Sequence, residues 1–151
     1  MQMRRVVTGH SGDGKAIVAS DSQIDGFRPR LFPSMEFHAL WGGDSTPVYP
    51  DGGEPLPHHS WFPPPGGFRF LAATLPPASD EAREIADEAA AVADLEAFAP
   101  GFLAVMEPDA PGMHTTDRID FIYVISGEVT MELDDGAEVH LAAGDTLVQS
   151  G

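Results

Sequence analysis

Cysteine is missing from all 151 residues, which excludes disulfide bridges, thiolate metal sites and cysteine nucleophiles together. Positive charge is scarce: 8 Lys and Arg stand against 24 Asp and Glu, a formal net charge of -16. Such a chain repels a phosphate backbone or an anionic membrane surface, so neither nucleic acid nor membrane is expected as a partner. No run approaches the roughly 20 apolar residues of a membrane-spanning helix. Residues 1–10 carry Arg4 and Arg5 but no apolar segment of signal length, and the expectation is a cytoplasmic protein. Three enzyme signatures are also missing: a serine in a nucleophile elbow, a glycine-rich phosphate loop before a helix, and H-E-x-x-H.

What remains is a globular composition, 42% hydrophobic, with 16 glycines and 14 prolines that call for many turns. The length suits one domain over residues 1–151, and strands joined by loops are favoured over a helix bundle. Arg5 to Thr8, the turn Gly12-Asp13-Gly14 and Ala16 to Ala19 read as a hairpin. Glu36 to Trp41 reads as a strand that Gly42-Gly43 ends. Residues 41–67 hold seven prolines and six glycines in 27 residues, which reads as a lid, a binding loop or a disordered tip. Phe68 to Leu75 is the next strand. Ser79 is the expected N-cap of an amphipathic helix whose buried stripe is Ile85, Ala89, Val92, Leu95 and Phe98. Its other face, with Glu84, Asp87, Glu88, Asp94 and Glu96, is expected to be solvated.

From Phe102 onward every run reads as strand: Phe102 to Met106, Asp120 to Ile125, Val129 to Leu133, Val139 to Leu141, and Thr146 to Gln149. Short strands at nearly regular spacing argue for a small antiparallel barrel or sandwich. If the chain is extended without a bulge from His114 to Val124, then His114, Thr116, Asp120, Ile122 and Val124 share one face. An imidazole and a carboxylate on one wall suit a divalent ion such as zinc, iron, nickel or manganese. His58 and His59 are adjacent and point apart in an extended segment, so they read as loop histidines. His140 has the opposite parity to Val139 and Leu141 and is expected to face outward.

The segment Gly112 to Gly127 resembles the first motif of the cupin superfamily, H-x-H, three or four residues, E, six residues, G. His114, Asp120 and Gly127 stand at its first histidine, its carboxylate and its glycine, while Thr116 replaces the second histidine. Gly144 to Gln149 resembles the opening of the second cupin motif. The likeness covers residues 102–151 well and the earlier half loosely. It implies an all-β fold, a single cupin-like antiparallel β-barrel of the jelly-roll type with one external α-helix. It also implies two or three further strands after Gly151, which carry one more ligand histidine, and a homodimer in which Arg5 to Thr8 take part.

The function these readings lead to is a small-molecule enzyme working in a barrel pocket, a metal-assisted lyase, dehydratase, decarboxylase or isomerase. His114 and Asp120 are the expected metal ligands and catalytic groups, and Thr116, Ile122, Tyr123 and Val124 the expected substrate contacts. His114 also stands open as a metal-free proton-transfer group or a core residue, and Asp120 as a metal-free general base. The competing classes are a non-catalytic cupin that senses or carries a metabolite, and an iron-dependent dioxygenase.

Overall fold

The computed structural model describes residues 2–77, 85–110 and 112–151. Strands dominate, with one α-helix among the described residues. The chain divides into two compact units, one ending at Ala104 and the other beginning at Val105.

The first unit opens with the hairpin expected from the turn residues, and it is longer than its apolar runs. Strand β1 (Met3–His10) pairs antiparallel with β2 (Ala16–Ile24), with a bulge at Val7/Thr8. Ser11 holds the turn: its carbonyl accepts from the Gly14 amide at 2.8 Å, and Gly14 takes φ 80°, a value glycine adopts without a Cβ clash. Strand β3 (Glu36–Gly43) pairs with β4 (Phe68–Thr74). Gly42 and Gly43 therefore do not end β3: they are paired with Arg69 and Phe68. Here cross-strand pairing overrides the turn preference of a glycine pair. Leu40 is the unpaired residue of a second bulge, between Ala39 and Trp41.

The helix, α1 (Glu88–Phe98), begins later than its apolar spacing indicates. Asp87, not Ser79, is its N-cap, accepting a hydrogen bond from the Ala90 amide; Ser79 and Glu84 lie outside the described residues. Ala91 and Leu95 are the buried helical residues, whereas Ala89 is exposed. Three alanines at 89–91 give the pattern no means of fixing its rotation, so packing selects it. Nor is the acidic face merely solvated: Asp94 accepts from the Arg30 amide at 3.3 Å and Glu96 from the Gly101 amide at 2.7 Å.

Around α1 gathers an aromatic cluster. Phe98 stacks on Phe27 with centroids 3.9 Å apart, and Trp61 meets Phe37, Phe98 and Phe102 at 5.5–6.1 Å. These offset and edge contacts add roughly 0.5–1.5 kcal/mol per pair beyond the area they bury.

The apolar run Phe102 to Met106, which spans the boundary between the units, is not a strand. Residues Leu103–Val105 form a turn of 3-10 helix, and only Met106 makes a bridge, to His114. Strand β5 (Ile119–Tyr123) pairs with β8 (Thr146–Ser150), and β6 (Glu128–Glu132) with β7 (Glu138–Ala142), all antiparallel. The inner hairpin β6–β7 is thus nested inside the outer pair β5–β8, and the two pairs belong to separate sheets. The four sheets close no barrel among the described residues. Gly144 at φ 97° makes the turn into β8, and Asp145 caps it by accepting from the Ala142 amide at 2.8 Å.

Candidate functional site

The unbroken extended segment expected from His114 to Val124 is interrupted. His114 sits in the isolated bridge to Met106, residues 117 and 118 form a bend, and β5 starts only at Ile119. The Arg118 amide donates back to the Thr116 carbonyl at 2.8 Å, a local turn that breaks the alternation between Thr116 and Asp120. The expectation that five residues share one face therefore narrows to Asp120, Ile122 and Val124. Across the ladder, Gln149 is opposite Asp120 and Leu147 is opposite Ile122.

Val124 is buried, Ile122 half-buried and Asp120 exposed. Tyr123 belongs to the other face of β5 with Ile119 and Phe121, and all three are exposed. His114 is half-buried, its Nδ1 3.4 Å from the Gly112 carbonyl, and Thr116 is half-buried. His140 faces outward as its parity predicts, 77% exposed, with Nδ1 2.7 Å from the Thr130 hydroxyl.

As a metal site, His114 and Asp120 offer one imidazole and one carboxylate. A catalytic zinc ion takes three protein ligands, and no group of three or more His, Asp or Glu suited to an ion occurs among the described residues. His114 and Asp120 by themselves do not complete a metal shell.

The first unit contains a second arrangement that the sequence pattern missed. Arg69, on β4, has a side chain only 8% exposed. Its Nη2 donates to Asp44 Oδ1 and the Ser60 carbonyl, both at 2.6 Å. Nη1 donates to the Gly43 and Phe68 carbonyls at 2.8 Å, and Nε to the Ser60 and Trp61 carbonyls at 3.2 and 3.1 Å. The planar guanidinium fork suits this many acceptors as an ammonium does not. Asp44 also accepts from the His59 amide and lies 3.0 Å from His59 Nδ1. Arg69 first and His59 second hold the Asp44 carboxyl down at about 2.

Through these bonds residues 44–61 are pinned to the β3–β4 hairpin. At the loop's far end the His10 amide donates to the Asp51 carbonyl at 2.6 Å. Gly9 lies so close beneath Gly52 that any Cβ would collide with its backbone, and Gly53 at φ 76° lies against Thr8 and Ala19. Through these contacts the Gly/Pro-rich stretch is fastened at both ends of the loop.

Beside the clamp lies a cavity of about 250 Å³, lined among others by Arg5, Trp41, Leu56, His58, Trp61 and Phe98. Arg5 donates from Nη1 to the carbonyl of the bulged Leu40 at 3.0 Å and lies over the Trp41 ring, 5.1 Å from its centroid. The bulge frees that carbonyl from the ladder. Deeper in β3, His38 and Glu36 are buried, each with a polar partner, and Glu36 Oε2 lies 3.4 Å from Arg28.

No helix among the described residues is long and apolar enough to cross a membrane. No family model matches the sequence, and no curated protein matches it either.

Proposed function

We propose that the second unit belongs to a cupin-type jelly roll and that the protein acts on a small metabolite there by proton-transfer chemistry, as a lyase or isomerase. The observation that supports this is the nested pairing of β6–β7 inside β5–β8 in two separate sheets. A jelly roll is built by such nesting, its strands wrapping back between two sheets. Asp120 is the proton-handling group, Thr116 and Gln149 are hydrogen-bonding partners for a polar substrate, and Ile122, Val124 and Leu147 supply the apolar wall. His114 is the second titratable group on the approach to β5.

The cupin resemblance adds a divalent ion, zinc, iron, nickel or manganese, on His114 and Asp120, and a homodimer. Because those two donors leave a metal shell short of one protein ligand, the proposal rests on side-chain proton chemistry. The short donor set equally favours the second reading, a cupin that binds a metabolite without converting it.

Incubation of the purified protein with a metabolite mixture in heavy water tests the first reading. Proton abstraction and return label the converted compound with solvent deuterium, seen by mass spectrometry, and Asp120→Asn removes the label. A compound retained by the native protein but never labelled or converted supports the carrier. One metal ion per chain that disappears in His114→Ala, without any deuterium exchange, overturns the metal-free assignment.

A further inference from the structure

The cavity of the first unit carries basic side chains in a strongly acidic chain. Its lining includes Arg5, Arg69, His58 and His59 and, among the described residues, no Asp or Glu, although the sequence holds 24 carboxylates. Arg69 is neutralised by Asp44 at 2.6 Å. Arg5 has no carboxylate partner among the described residues, whereas Arg4, its neighbour on β1, is paired with Asp21 at 2.7 Å. The Arg5 Nε is shielded from solvent and meets no hydrogen-bond acceptor among the described residues.

The lining also holds three aromatic side chains, Trp41, Trp61 and Phe98. Trp41 lies under the Arg5 guanidinium, and Trp61 and Phe98 present rings 5.5 Å apart. Taking a water's share of liquid volume as about 30 Å³, the 250 Å³ of the cavity is the volume of about eight waters, room for a small ring-bearing ligand.

From these features we infer a second binding site, distinct from the wall of the second unit, for a small aryl or cycloalkyl carboxylate. The carboxylate pairs with Arg5, and the ring lies among Trp41, Trp61 and Phe98. A guanidinium with N–H groups not committed to protein acceptors binds carboxylate in a charge-assisted, directional way.

Both tryptophans of the chain line this cavity, so intrinsic tryptophan emission reads it directly. Phenylacetate is the probe and phenylacetamide, its neutral isostere, the control. Saturable change in emission with phenylacetate is expected, with the amide binding about tenfold or more weakly, the scale of one charge-assisted pair. Arg5→Gln should abolish that preference, and Arg5→Lys should retain part of it. Equal affinity for acid and amide in the unaltered protein, or no saturable response to either, overturns the inference without recourse to a variant. Neither result touches Asp120 chemistry, so the two proposals fail separately.

Discussion

The two units are held in different ways. In the first, one buried arginine makes six hydrogen bonds, five of them to backbone carbonyls, and seven aromatic rings interlock around α1. In the second, order comes from backbone ladders, and Ile119, Phe121, Tyr123 and Val148 leave much of their surface open, Phe121 as much as 82%. Irregular backbone must satisfy its carbonyls somewhere, and a loop rich in proline has few amides with which to do so internally. A guanidinium supplies the missing donors. Regular strands need no such help, which leaves a polar side chain such as Asp120 exposed on β5 and available to a ligand.

The largest expected effect breaks the first unit's clamp. Arg69→Met strands several carbonyls and the Asp44 charge, and urea unfolding should show a loss of about 3 kcal/mol or more. Accompanying exposure of Trp61, whose carbonyl the arginine holds, should shift tryptophan emission to the red. A loss below about 1 kcal/mol would mean that the loop is held by its other contacts. Leu95→Ala, at a side chain 1% exposed, comes next at about 2–4 kcal/mol through a cavity the helix cannot fill.

Acid provides a milder test of the same clamp. The Asp44 carboxyl is lowered from 3.8 to about 2 by Arg69 and His59. A carboxyl whose native value lies below its unfolded one stabilises fully above the unfolded value and loses that contribution as pH falls through the native one. Stability of the native protein should therefore decline as pH drops from about 4 towards 2, and Asp44→Asn should flatten that part of the profile. An unchanged slope would remove the ion pair from the account. The smallest effect belongs to the second unit: Asp120→Asn, on an exposed side chain, should alter stability by less than about 0.5 kcal/mol. If it destabilises more, Asp120 holds structure and its role as an uncommitted group falls.

Much of the architecture was legible beforehand because alternation and turn chemistry are local. Gly12-Asp13-Gly14, Ser126-Gly127 and Asp134-Asp135-Gly136 mark turns by their tolerance of unusual backbone angles, and Asp135 and Gly136 do take φ 59° and 72°. The errors fell where local signals tie or give way. Leu103–Val105 is apolar enough for a strand but finds no ladder partner. The bend at residues 117–118 severed the face that parity assigned to His114 and Thr116, since a parity argument survives only while pairing continues. Arg69 and the Arg5 cavity were invisible because they join residues dozens of positions apart.

By itself, the sequence determined the strand-rich class, the turns, the exclusion of cysteine chemistry and the alternation that puts Asp120 and Ile122 on one face, because each depends on residue type or on neighbours within a few positions. Tertiary structure alone decided which turn of α1 is buried, that the Gly/Pro-rich stretch is fastened and that Arg5 lies over Trp41 with no carboxylate partner among the described residues. Those outcomes depend on where carbonyls, rings and carboxylates from distant segments meet, and spacing along the chain carries no measure of that.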